Sequence, residues 1–143
     1  MRPVKHLLSS AAVGGIFYLY SNSFFSSSIC FLSGVLIDLD HFIDFYLNYK
    51  RWPLNLQEFC SNCLEFKFGR LYVFLHSLEL IAFVWLLIII LKMNLIWVAV
   101  ATGITLHIIL DIAGNKVEPF SYFLIYRFKK RFEAKLLFKD AAP

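Results

Sequence analysis

Four histidines, His6, His41, His76 and His107, are all the histidines of this 143-residue chain, and each stands in an apolar run. Three have a carboxylate one helical turn away: Asp38 lies three residues before His41, Glu79 three after His76, and Asp111 four after His107. Residues three or four apart share a helix face. Imidazole nitrogen and carboxylate oxygen offered together from facing helices are how a bundle builds a metal site in its core. The candidate ligands are therefore His6, Asp38, His41, His76, His107 and Asp111, holding one or two divalent ions. Asp40 is either a bridging ligand or a group that orients one, and Glu79, one turn from His76, is the candidate general base or a partner that orients that histidine. A mixed imidazole and carboxylate donor set suits zinc, manganese or iron better than calcium, and zinc is taken first. Two other interpretations of the same residues stay open: a buried polar cluster that fixes helix register without chemistry, and a proton or ion relay.

These side chains need elements that carry them through an apolar medium. The chain is 59% hydrophobic and 18% aromatic, with 17% charged residues and a mean hydropathy of +0.67. An ordinary soluble domain is about 45–50% apolar and about 25% charged, so this composition excludes disorder and points to lipid. Spanning a bilayer core takes about 20 apolar residues, with about 17 tolerated. Four stretches meet or approach that length: 4–20, 24–47, 71–91 and 95–113. Three residues separate the first two and three the last two, so each pair reads as a helical hairpin. The expected fold is all-α: one polytopic membrane domain over 1–143, with four transmembrane helices as two hairpins and a loop at 48–70.

Positively charged loops stay on the cytoplasmic side. Of the 14 Lys and Arg, all but Lys92 fall at the N-terminus (Arg2 and Lys5), in the 48–70 loop or after Ala113, which puts both termini in the cytoplasm. Each histidine then lies within six residues of the basic end of its segment, roughly 9 Å or less along a helix. Acids at the bilayer centre cost about 2.5–3.5 kcal/mol each on insertion scales, yet Asp38, Asp40, Asp44, Glu79 and Asp111, half of all the acids, lie in the apolar segments. A divalent cation would offset that cost. Residues 1–23 also have the layout of a signal peptide, but the Ala-x-Ala cleavage signal is absent and Gly14-Gly15 offers a helix-packing surface instead.

The segment 117–138 interleaves aromatics with Arg127, Lys129, Lys130 and Arg131, the pattern of an interfacial segment with rings in the acyl boundary and cations at anionic headgroups. Membrane lipid is thus the expected partner, and the dispersed basic residues give no nucleic-acid footprint. Cys60-Ser61-Asn62-Cys63 is a single CxxC pair, where a structural zinc site wants two further ligands, and it is read as incidental.

The run Leu36-Ile37-Asp38-Leu39-Asp40-His41 is similar to the Pro-Asp-x-Asp-His signature of the YdjM-like inner-membrane proteins, described as membrane-bound metal-dependent hydrolases. The resemblance continues in order through Lys5-His6-Leu7-Leu8, Leu75-His76-Ser77-Leu78 and His107-Ile108-Ile109-Leu110-Asp111. It is nearest to a compact subgroup with His-Ser-x-Glu, Leu-Asp-x-x-x-Asn and an aromatic-basic tail, a pattern that Asn115 fits. Two positions depart from the family: Ile37 replaces its proline, and Leu71 replaces the first histidine of its His-Arg-Gly-x-x-His-Ser. The resemblance implies a metal-dependent hydrolase of the bacterial or archaeal inner membrane. The depth of the histidines adds a lipid or lipid-linked ester or phosphoester as substrate. The alternative is a non-enzymatic membrane protein with a structural metal or buried polar cluster, or a small ion-handling subunit.

Overall fold

The structure, a computed structural model, describes residues 3–64, 68–115 and 117–138; Arg2, Lys67, Lys116 and Lys139 of the charge pattern lie outside the described residues. It is all-helical. The elements are α1 (Pro3–Ser21), α2 (Phe24–Leu36), a 3-10 turn at Ile37–Leu39, α3 (Asp40–Tyr49), α4 (Leu56–Leu64), α5 (Leu78–Ile90), α6 (Leu95–Gly114), a 3-10 turn at Pro119–Tyr122, α7 (Leu124–Lys129) and a 3-10 turn at Ala134–Leu136. No strand occurs among the described residues, only the isolated bridges Arg70 with Glu133 and Val117 with Phe138. The chain forms two compact units, Met1–Ile37 with Leu78–Gly114, and Asp38–Ser77 with Asn115–Pro143.

The first unit consists of α1, α2, α5 and α6, joined in pairs by tight turns at residues of positive φ, Asn22 in one and Lys92 in the other. Ser23 caps α2, its side chain accepting from the Ser26 amide at 3.2 Å. Small residues let the helices approach closely. A methyl group on Gly103 of α6 would lie 2.2 Å from both the Cys30 carbonyl and Ser33 Oγ on α2, and one on Gly34 would lie 2.9 Å from Ser10 Oγ on α1. Hydroxyls bridge the same seams: Ser27 donates to the Gly14 carbonyl, and Ser33 to the Val100 carbonyl at 3.3 Å. Trp85 Nε1 on α5 donates to Thr105 Oγ1 on α6 at 3.0 Å. Phe17, Cys30 and Ala99 form the buried apolar centre.

The second unit packs α3 and α4 through rings, with Phe42 stacked on Phe59 and the fully buried Phe45 against Tyr49, Phe59 and Phe68. Leu71, Val73 and Leu137 make a second apolar cluster that ties the 71–77 segment to the C-terminal segment.

The described helices differ from the expected spans in two places, and the expected loop at 48–70 holds a helix, α4. Stretch 24–47 is broken at Ile37–Leu39, where the backbone tightens into a 3-10 turn. Stretch 71–91 is helical only from Leu78, because the polar groups of the backbone before it bond to side chains instead of along a helix. Among the described residues, Leu95–Gly114 is the one helix both long and apolar enough to cross a membrane, with mean hydropathy 2.0; α5 is apolar but 13 residues long. The 117–138 segment is not a surface helix throughout, since α7 has six residues and Arg127 within it is fully buried.

Candidate metal centre

Each unit gathers its own cluster of histidines and acids. In the first, His6 from the opening turns of α1 meets His107 and Asp111 from α6, one turn apart. His6 Nε2 is 3.1 Å from Asp111 Oδ1, and His107 Nε2 is 3.5 Å from Asp111 Oδ2. The two imidazoles are stacked, their centroids 4.2 Å apart and their planes 14° from parallel. All three residues are buried, at 5%, 2% and 4% exposure. His107 Nδ1 lies 2.6 Å from the Gly34 carbonyl, which α2 brings within reach because glycine stands at both Gly34 and Gly103.

A carbonyl oxygen only accepts, so His107 Nδ1 carries the proton and Nε2 is the nitrogen turned to Asp111. A neutral ring would set the Nε2 lone pair against a carboxylate. Either a proton is shared between the ring and the carboxyl group or a cation sits between the two. His6 presents Nε2 to the same carboxylate, and two stacked imidazolium rings about 4 Å apart would repel by about 4 kcal/mol at an effective dielectric of about 20. One divalent ion serves both rings without that repulsion. His6 Nδ1 is moreover buried without a hydrogen-bond partner among the described residues. Ligands about 2.0–2.2 Å from a tetrahedral ion lie about 3.3–3.6 Å from each other, close to the separations found. The residues therefore fit the ion.

The second unit repeats the logic with different parts. His76 sits in the non-helical 71–77 segment, its Nδ1 3.2 Å from Asp40 Oδ2 and its Nε2 3.5 Å from Asp38 Oδ1. Asp40 Oδ2 also accepts the Leu75 amide at 2.9 Å, so this carboxylate holds both the ring and the backbone beside it. His41 Nε2 reaches Asp38 Oδ1 at 3.7 Å, and the His41 and His76 centroids are 5.0 Å apart. Asp40, His41 and His76 can also offer one ligand atom each within 4.8 Å of one another, as can His6, His107 and Asp111. Here the inner histidine and Asp40 are buried, but the Asp38 and His41 side chains keep 35% and 27% of their surface exposed.

In both clusters one histidine anchors Nδ1–H on an oxygen and turns Nε2 toward a carboxylate. Metal-ligating histidines almost always have that second bond, to a backbone carbonyl or a carboxylate. His107 uses the carbonyl of Gly34 and His76 the carboxylate of Asp40.

Seven of the eight sequence-derived residues thus fall into two clusters that could hold a metal ion, His6, His107 and Asp111 in one and Asp38, Asp40, His41 and His76 in the other. Glu79 stands half-buried in the first turn of α5 and belongs to neither cluster. Two residues with work to do were not among the site residues read from the sequence. Asp44, fully buried, accepts the Tyr72 amide at 2.7 Å. Arg127, also fully buried, donates to the Tyr72 carbonyl, to the Val73 carbonyl at 2.7 Å and to the His76 carbonyl at 3.0 Å. The signal for Arg127 was an arginine flanked by Tyr126 and Phe128, hidden by the Lys129-Lys130-Arg131 cluster that follows. In the CxxC pair, burial pushes the Cys63 thiol up to about 12, with Cys60 and the charges of Asp44 and Asp38 adding to it.

No family model, curated protein or solved structure matches this chain.

Proposed function

We propose that the protein is a membrane-embedded, metal-dependent hydrolase acting on a lipid or lipid-linked ester or phosphoester at the cytoplasmic face of an inner membrane. The observation that carries this reading is the paired histidine geometry: two inner imidazoles with Nδ1–H anchored and Nε2 aimed at a carboxylate. The resemblance to the YdjM-like proteins, through His6, Asp38-Leu39-Asp40-His41, His76-Ser77 and His107 with Asp111, supports the reaction class.

The first unit is the proposed membrane body, its four helices crossing as two hairpins. Its outward apolar coat supports this, with Leu19, Tyr20, Phe24 and Ile89 at least 70% exposed, since a soluble monomer rarely presents a continuous apolar surface of that kind. At about 20 Å each, α2 and α5 are shorter than a bilayer core of about 30 Å, so on this reading the bilayer thins or the non-helical continuations enter it. The exposed Phe120, Ile125 and Phe128 beside Lys129 and Arg131 would rest on anionic lipid headgroups.

Bound by these residues, a divalent ion would supply Lewis acidity, acidifying water and polarising the ester or phosphoester oxygen. The chain's own part is to hold the ligands. Gly34 and Asp40 fix the tautomers of His107 and His76, Asp111 and Asp38 bring the negative charge, and the partly exposed edge formed by Asp38 and His41 admits substrate. Glu79 keeps its proposed role as general base on the strength of the sequence alone, since it joins neither cluster.

A structural metal is a second reading for the first cluster alone, favoured by its burial: closed sites are structural, and catalytic ones keep a position open. The test is metal analysis of the purified protein with a screen of lipid phosphoesters, in wild type and Glu79→Gln. The expected result is stoichiometric divalent metal in both and hydrolysis in wild type only. Metal-free protein whose helicity and elution are indifferent to added zinc would overturn the metal reading, and a fully active Glu79→Gln would remove the role given to Glu79.

A further inference from the structure

The 72–76 segment that carries His76 has no helix or sheet to shape it. Its amides at Tyr72 and Leu75 go to Asp44 and Asp40, and its carbonyls at Tyr72, Val73 and His76 go to the single guanidinium of Arg127. Val73 lies at φ 27, a conformation a β-branched residue adopts only when its surroundings hold it there. Arg127 reaches this position from α7, over 50 residues along the chain, and has no exposed surface. A buried guanidinium offers five donors in a fixed fork, which a lysine cannot reproduce.

We infer that Arg127 is a positioning residue for the His76 metal ligand: its guanidinium, opposed by the Asp40 and Asp44 carboxylates, clamps the 72–76 segment so that His76 keeps Nδ1 on Asp40 and Nε2 toward Asp38. The inference rests on the proposed metal reading. It places one end of the metal cluster under the control of a cation that the sequence pattern assigns to the membrane surface. The lipid-facing segment and the ligand-bearing segment are then one device, because the residues on either side of Arg127 include the exposed Ile125 and Phe128.

The experiment uses full-length protein in a His6→Ala background, so that zinc binding reports on the Asp38, His41 and His76 cluster. Zinc affinity is measured by competition with a chromogenic chelator, and the visible spectrum of the cobalt-loaded protein reads the ligand geometry. Arg127→Gln is expected to weaken zinc binding about 10–100-fold, the usual cost of losing a group that orients a ligand, and to alter the cobalt bands. Arg127→Lys, which keeps the charge but not the fork, is expected to fall between that variant and the parent. Affinity and cobalt spectrum unchanged in both variants would overturn the inference while leaving the metal reading intact. No zinc binding with Arg127 in place, in a parent whose helicity matches wild type, would overturn both. A Arg127→Gln protein that fails to fold is decided by Arg127→Lys, whose parental affinity and spectrum would overturn the inference.

Discussion

The two histidine clusters solve one problem with opposite materials. In the first, both anchoring elements are regular: α1 and α6 supply the ligands, and a backbone carbonyl of α2 holds the inner histidine. Glycines at Gly34 and Gly103 permit the close approach. In the second, the inner histidine sits on irregular backbone held by two carboxylates and a guanidinium, and half of the cluster keeps a solvent-exposed edge. Helix packing gives a closed site, and side-chain clamping gives an open one. That division suits a structural role for the first and a reacting role for the second.

The largest effect expected from this contrast is on the first cluster. His107→Ala removes a ligand, the stacking partner of His6 and the bond to Gly34 together. It should abolish metal binding there, by at least about 100-fold in affinity, and lower the thermal midpoint of the helical signal. His41→Ala, at the open edge, should cost metal at the second cluster and activity while leaving that midpoint nearly unchanged. Metal stoichiometry with thermal melts followed by circular dichroism checks both. A His41→Ala protein that melts as early as His107→Ala would erase the distinction between the sites.

A smaller effect is expected from the glycine that makes the closed site possible. Gly103→Ala places a methyl 2.2 Å from the Cys30 carbonyl and Ser33 Oγ, so α2 and α6 must separate, at about 1–3 kcal/mol for overpacking. Separation also draws the Gly34 carbonyl away from His107 Nδ1, so zinc affinity at the first cluster should fall with stability. Gly15→Ala is the control: nothing lies within 4 Å of its added methyl, and alanine favours a helix by up to about 1 kcal/mol. Equal melting of the two variants would mean that the α2 and α6 seam is not what holds the site.

The helical class and both hairpins were legible in the spacing of the apolar runs, because hydrophobic periodicity and short polar turns are local signals. The clustered residue types were legible too, since ionisable residues in apolar runs stand out and the four-residue step from His107 to Asp111 within α6 declares a shared face; the three-residue step from His76 to Glu79 did not, because His76 precedes α5. The single continuous helix expected over 24–47 failed at Asp38 to Asp40, where tertiary bonds to His76 and to the Leu75 amide outweigh helix propensity. The same is true before Leu78: Asp44 and Asp40 take amides 28 and 35 residues away, and no local pattern encodes that. Arg127 was legible as a cation and illegible as a clamp, because burial of one charge among several neighbours of the same sign depends on which carbonyls happen to lack partners.

The smallest effect concerns whether cysteine chemistry belongs in the comparison at all. With its thiol pushed up to about 12 by burial, Cys63 stays protonated in the folded protein far above neutral pH, whereas in the unfolded chain it ionises near its ordinary value of 9.0. Below that value both states hold the proton and stability is indifferent to this group. As pH rises through about 9 toward 12 the unfolded state loses its proton first, so stability falls with rising pH. Cys63→Ala should therefore flatten part of the alkaline loss of stability seen in wild type and leave the neutral range unchanged, read from denaturation midpoints across pH 7–11. Alkylation of Cys63 by a maleimide should likewise be slow at pH 7–8 in the folded protein. Rapid labelling there would mean a thiolate stands within the second unit, beside the charges of Asp38 and Asp44, and the CxxC pair would have to be counted as a third donor set alongside the two histidine clusters.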